Sequence, residues 1–169
     1  MKSLQEIVDP HGICFGCGTA HAEGLHIRSY PDEDGVHVIA TMTPSERYCG
    51  WPGLAYGGYL AMLSDCHSNW TAIYAHYKAE NRSLTSDPQI MCVTGSLSVA
   101  YRKPTPLGVP LHLRSRVEGE VGRKTRVLTE ISANGIVTVS ADVVLVRVNV
   151  DDLAKQAHAA IAAVSGASS

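Results

Sequence analysis

Between residues 57 and 79 apolar positions recur every three or four residues. Leu60, Leu63, His67, Trp70, Tyr74 and Tyr77 fall on one helical face, and the spacing predicts a single long helix. The segment is rich in Ala, Leu, Met and aromatic residues away from that face as well, so the helix needs apolar contact on most sides. Elsewhere the pattern favours strands. Residues 25–30 and 35–43 read as two strands joined at Pro31-Asp-Glu-Asp-Gly35, the second containing Val36-His-Val-Ile-Ala-Thr-Met42. Residues 44–53 and the polar stretch 80–89, which ends at Asp87-Pro88, read as loops. In residues 90–101, Leu97, Val99 and Tyr101 alternate with Ser96, Ser98 and Ala100 before Pro104, Pro106 and Gly108 turn the chain. Residues 110–120, 123–133 and 136–148 form three more strands, separated by Gly122 and by Asn134-Gly135, a two-residue hairpin signal. A last helix capped by Asp151 places Leu153, Ala157, Ile161 and Val164 on one face, with a frayed tail over Ser165–Ser169.

Two strands, one long helix and four strands in that order predict an α+β layer, a curved antiparallel sheet packed around a central helix. Three regions follow: an irregular N-terminal arm over residues 1–24, one domain over 25–148, and a C-terminal helix and tail over 149–169. A length of 169 residues suits one domain with a real core.

Charge adds little at first sight, because the net value is −2. The distribution is uneven. Residues 1–100 carry five basic and ten acidic side chains, and residues 101–169 carry nine and six. The positive second part suits a phosphate-bearing ligand, although a solvated sheet edge rich in Arg and Lys produces the same bias. Bulk electrostatics does not argue for nucleic acid. No apolar run reaches the ~18 residues of a membrane span, and no signal peptide is visible. Five cysteines without a framework spacing read as reduced thiols in a cytoplasmic protein.

The chemistry concentrates at Tyr56-Gly57-Gly58 and Asp65. A helix start offers free backbone N–H groups, and glycine lets a ligand approach them. A carboxylate two turns further on, among Leu60, Met62 and Leu63, is hard to explain as packing. Together they form a hydrolytic pair, an oxyanion donor and an acid; the competing structural account is a turn and a surface aspartate.

The stretch Pro52-Gly-Leu-Ala-Tyr-Gly-Gly-Tyr-Leu-Ala-Met-Leu-Ser-Asp65 resembles the signature of hotdog-fold acyl-CoA thioesterases of the phenylacetate-pathway (PaaI-like) and THEM-type branch, which is His-Gly-Gly, six residues, then Asp or Glu. The segment Thr94-Gly-Ser-Leu-Ser-Val-Ala-Tyr-Arg-Lys-Pro-Thr-Pro-Leu-Gly108 resembles the family's central strand and its exit. Gly119-Glu-Val-Gly-Arg-Lys124 is similar to the hairpin before the penultimate strand. Cys14-Phe-Gly-Cys-Gly18 with Glu23-Gly-Leu-His26 resembles an N-terminal extension of some members. The likeness spans residues 14–148.

The resemblance implies a hotdog fold and a site between two protomers. Asp65 is then the catalytic carboxylate, acting as general base for water or as nucleophile. Gly57 donates its N–H to the thioester carbonyl, and Gly58 permits close packing. Thr94 supplies a hydroxyl from the partner subunit that holds water or orients Asp65, with Ser96 and Ser98 as weaker candidates. Tyr56 departs from the pattern, since relatives have His there and a phenol is a poor neutral-pH base. His67 does not replace it, because a two-residue step points away from Asp65; it reads as a core or subunit-contact residue. Arg102, Lys103, Arg123 and Lys124 are candidates for the coenzyme A phosphates.

Cys14 and Cys17 form a Cys-x-x-Cys with His11 and His21 nearby, a conceivable zinc set. The cluster is short, and the family's catalysis needs no metal, so no metal and no cofactor beyond the coenzyme A of the substrate are expected. Cys49, Cys66 and Cys92 read as small apolar fillers. The expected activity is hydrolysis of an acyl- or aroyl-CoA by a homodimer or dimer of dimers, with pocket shape influenced by Trp51, Tyr59, Trp70 and Tyr74. The alternatives are a non-hydrolytic acyl-CoA or acyl-carrier binding protein of the same fold, a dehydratase or hydratase, which the absent histidine disfavours, and a metal-dependent module built on the cysteine arm.

Overall fold

The computed structural model describes residues 1–165. The central helix, α2, spans Gly57–Ala79, as its apolar spacing predicts. It ends in a Schellman turn: the N–H of Asn81 reaches the Lys78 carbonyl at 3.0 Å and that of Arg82 the Tyr77 carbonyl at 2.9 Å. Asn81 takes the left-handed conformation, φ 49°, that this turn requires.

Six strands wrap α2. They are β1 (Tyr30–Pro31), β2 (Val38–Met42), β5 (Met91–Tyr101), β6 (Leu111–Glu118), β7 (Lys124–Ala133) and β8 (Ile136–Val148). Their order is β1-β2-β6-β7-β8-β5, antiparallel throughout. β3 (Cys49–Trp51) and β4 (Leu54–Ala55) form a separate hairpin before α2. Alternation selects the inner face: Thr125, Val127, Thr129, Ile131 and Ala133 of β7 are buried, as are Val139, Ala141, Val143 and Leu145 of β8. They pack with Leu60, Leu63, Trp70, Ile73 and Tyr77 of α2 in one core. The hairpin read at Asn134-Gly135 is present, with φ of 51° and 76° at the two turn residues.

Four expectations need correction. Residues 44–53, read as a loop, carry a 3-10 turn over Glu46–Tyr48 and the strand β3. The strand read over 25–30 is reduced to the short β1. The arm over 1–24 is not wholly irregular, since it carries α1 (Leu4–Val8), opened by a capping box between Ser3 and Glu6. The C-terminal helix, α3 (Val150–Ser165), is capped by the Asn149 carboxamide, which accepts from the N–H groups of Asp151 and Asp152, rather than by Asp151. Of the tail read as frayed, residues 166–169 lie outside the described residues. Among the described residues no helix is long and apolar enough to cross a membrane.

His67 is wholly buried, the core alternative of its two readings. Its Nε2 donates to the Val38 carbonyl at 3.0 Å, which leaves Nδ1 to accept from the Ser29 hydroxyl at 2.9 Å. Ser29 in turn meets Gln5 of α1 through both backbone and side chain. This relay ties α1, the segment before β1, and β2 to α2. Burial pushes the His67 pKa down from 6.5 to about 4. A depressed folded pKa means that the unfolded chain binds the extra proton first. The resulting stability is complete above pH 6.5 and drains away as pH falls from 6.5 to about 4. Replacing His67 with Gln should flatten that part of the stability–pH curve, whose amplitude is on the order of 3 kcal/mol; urea titrations from pH 7 to 4 measure it.

Candidate functional site

The start of α2 is set by a turn and a clamp. Pro52-Gly53 closes the β3–β4 hairpin, with Gly53 at φ 78°, a conformation that suits glycine after proline. The hairpin is clamped to the loop after β5: the Ala55 N–H donates to the Thr105 carbonyl at 2.8 Å, and the Leu107 N–H to that of Gly53 at 3.0 Å. Tyr56 follows as the N-cap in extended conformation, without a side-chain cap. Gly57 is the first helical residue, so its N–H has no intrahelical acceptor. Tyr101, the last residue of β5, donates its hydroxyl to the Gly57 carbonyl at 2.8 Å. These segments line an open cleft of about 540 Å³ that includes Trp51, Tyr56, Gly57, Tyr101, Arg102 and Lys103.

Gly57 and Gly58 are constrained differently. A Cβ at position 57 would lie 3.2 Å from the Tyr101 hydroxyl. A Cβ at 58 would lie 2.3 Å from the hydroxyl of Tyr56, because that ring folds over Gly58. The close packing expected of Gly58 is therefore with Tyr56, whose side chain is otherwise more than half exposed.

Asp65 is half-buried, one face of α2 further along. The Thr94 hydroxyl of β5 donates to its Oδ1 at 2.5 Å. This pairing lies within one chain. Gly95 makes it possible: it sits at the irregularity in β5, where a Cβ would come 2.9 Å from Val146. Asn69, four residues after Asp65 and unnoticed in the sequence, faces the same strand and donates to the Cys92 carbonyl at 3.1 Å. Its Oδ1 is buried without a hydrogen-bond partner among the described residues. The i, i+4 spacing after an acid was the only signal for it.

The structure does not bring all candidates together in one chain. Gly57 and Asp65 are eight residues apart on α2, a rise of about 12 Å. Arg102 and Lys103 follow the Tyr101 end of β5. Lys124 instead pairs through Val146 with Val93, near the opposite end, and Arg123 precedes it. The ends of this 11-residue strand are about 30 Å apart, so the four cations do not form one patch. Ser96 and Ser98 lie exposed on β5. Of the four aromatics expected at the pocket, only Trp51 lines the cleft, while Tyr59 and Trp70 are core residues. Tyr74 borders a separate apolar hollow of about 400 Å³ with Val38 and Val117.

The cysteine arm also differs from expectation. Cys66 is not a mere filler: its sulfur lies 3.9 Å from that of Cys14 and close to Cys17. Hydrogen bonds from Cys17 and Cys66 hold the Cys14 thiol below its ordinary range, while Cys66 is pushed up by the same contacts and by burial. Neither His11 nor His21 belongs to this group. Cys49 is exposed rather than packed, and Cys92 is buried as expected.

No protein-family model and no curated protein matches the sequence. Solved structures do. The chain is similar to a thioesterase superfamily protein from Shewanella loihica PV-4, at 28% identity and a TM-score of 0.59, over 77% of this chain and 97% of that one. It is similar to a phenylacetic acid degradation-related protein from Ralstonia eutropha JMP134, at 16% identity and 0.62, over 86% and 99%. A third, from Streptococcus pneumoniae TIGR4 and solved with coenzyme A, has 20% identity and 0.57, over 73% and 87%. The α+β hotdog fold and the resemblance to this superfamily both hold.

The Tyr101–Gly57 bond fixes the helix start against β5. Tyr101→Phe should cost about 1 kcal/mol and lower Tm by about 2–4 °C, with unchanged secondary structure by circular dichroism.

Proposed function

We propose that this protein hydrolyses an acyl- or aroyl-CoA thioester at sites formed between two antiparallel copies of the chain. The observation that carries the reading is the pairing of Asp65 on α2 with Thr94 on the exposed edge strand β5, with the Gly57 N–H, which lacks an intrahelical acceptor, near that strand's other end. One chain keeps these groups too far apart to act on one carbonyl. Strand β5 has a neighbour, β8, on one side only, and Thr94–Ser98 are exposed along it. Antiparallel pairing of two β5 edges lays the Tyr101 end of one copy beside the Thr94 end of the other. Gly57 of one chain then faces the partner's Asp65. The same pairing carries Arg102 and Lys103 toward the partner's Arg123 and Lys124, which unites the cations a single chain separates.

In this arrangement the Gly57 N–H and the dipole of α2 stabilise the charge that develops on the thioester oxygen. Asp65 acts on the carbonyl carbon, either by taking a proton from water or by direct attack. Thr94 holds one carboxylate oxygen and leaves the other for the reaction. Cations at the cleft bind the phosphates of coenzyme A. Neighbouring folds support the ligand class: one from Streptococcus mutans UA159 was solved with acetyl CoA and the pneumococcal one with coenzyme A. Variants of the pneumococcal protein with one aspartate or one threonine changed to alanine have also been solved, the two residue types that meet here.

Tyr56 favours a second reading, binding of an acyl-CoA or acyl carrier without turnover. A phenol stands at the helix cap where the family pattern has an imidazole. Calorimetric binding of an acyl-CoA with no thiol released would establish that alternative.

Mixing experiments test the shared site. Asp65→Asn should lower kcat by about 10²–10⁴-fold. Gly57→Pro removes the N–H while keeping a residue suited to the first helical position, and should lower kcat by about 10²–10³-fold. Refolding the two inactive variants together should restore roughly a quarter of wild-type activity, since half of randomly paired dimers carry one intact site. No recovery from two folded variants would count against a site split between chains. Arg102→Ala with Lys103→Ala should raise KM for the coenzyme A ester about tenfold and leave kcat nearly unchanged.

A further inference from the structure

We propose that Cys14, Cys17 and Cys66 form a three-thiolate site for a soft divalent cation of the zinc class, which staples the N-terminal arm to α2. The three sulfurs all lie within 4.8 Å of one another, drawn from a tight loop and from a helix 49 residues further along the chain. The Cys14–Cys66 separation of 3.9 Å matches the edge of a zinc–sulfur tetrahedron, about 3.8 Å for a bond of about 2.3 Å.

The surroundings are built for this cluster. Gly16 has no side chain because a Cβ there would lie 2.4 Å from the Cys66 sulfur. Gly18 is equally confined, since a Cβ would come 2.5 Å from the Gly12 carbonyl and 2.6 Å from the Cys14 backbone. The loop is closed by the Gly18 N–H on the Cys14 carbonyl at 2.7 Å. Around the sulfurs, the Trp70 indole donates to Cys17 at 3.2 Å. An N–H···S contact of this kind is the outer-shell support that thiolate ligands use. Cys17 and Cys66 are buried, while Cys14 is exposed, so the fourth coordination position opens to solvent.

Binding exchanges three S–H protons for one cation, and no redox step is involved. Two buried sulfurs cannot ionise unaided in an apolar setting, whereas a dication compensates them. The ligand set is soft, which selects a thiophilic ion over magnesium or calcium. Cys66 directly follows Asp65, so the staple also anchors the segment of α2 that bears the carboxylate. The inference stands apart from the thioester reading, and its test does not use activity.

The test is titration of the full chain, reduced and stripped of metal, with Co²⁺ as a spectroscopic probe, followed by displacement with Zn²⁺. One equivalent should give a thiolate-to-cobalt charge-transfer band, and Zn²⁺ should abolish it. Zinc should also raise Tm, because it binds only the folded cluster. Cys14→Ala, an exposed change that leaves the core intact, and Cys66→Ala should each weaken Co²⁺ binding by about tenfold or more. Cys92→Ala should bind as the parent does. Absence of the band in the parent chain would overturn the proposal, as would unchanged affinity in Cys66→Ala. A two-thiol deficit in unreduced, metal-free protein, marking a Cys14–Cys66 disulfide as the resting form, would overturn it too.

Discussion

Helix α2 is buried on most of its circumference, and the rest of the molecule answers to that constraint. A helix in such a place has no polar face to turn to water, so each polar side chain on it needs an internal partner. Ser64 and Thr71 bond back to carbonyls one turn earlier. Ser68 meets Thr129, which also meets Ser115. His76 meets Thr125, and His67 is held between Ser29 and Val38. The pairs that reach other elements pin the segment before β1 together with β2, β6 and β7 to fixed positions along one axis, where apolar packing alone would tolerate sliding.

The proposed site occupies a flank of α2 where this enclosure is incomplete. There β5 forms the sheet edge, and the helix presents Asp65 and Asn69 to it instead of apolar residues. A carboxylate at this border is sheltered enough to be oriented by Thr94 and open enough to meet a ligand. The helix start is exposed for a related reason: the β3–β4 hairpin, clamped to the loop after β5, holds Tyr56 and Gly57 at the surface. The distance between these two exposed features is set by helical rise, and the proposed pairing of two copies would bring them together.

The N-terminal arm closes the opposite need. Its helix α1 reaches the core through Gln5 and Ser29, and its glycine-rich loop reaches α2 through the three cysteines. A short arm with little apolar surface gains from such specific ties, because its conformational entropy is not offset by burial alone.

Local order was legible in the sequence. The three- and four-residue spacing marked α2 from Gly57 to Ala79, alternation marked β6 to β8, and Asn134-Gly135 marked their hairpin. These features depend on residues a few positions apart, whose energetics travel with the segment. The motif around Gly57 and Asp65 was legible for the same reason. What tertiary structure alone decided is which distant residues meet. Cys66 looked like a filler until the arm folded over it. That Thr94 meets Asp65 of its own chain became visible only once β5 lay beside α2. Strand register decided that Arg102 and Lys103 lie toward one end of β5 and Arg123 and Lys124 toward the other. Each outcome follows from sheet register and helix burial, which are set by the packing of the whole domain and leave no local trace in the chain.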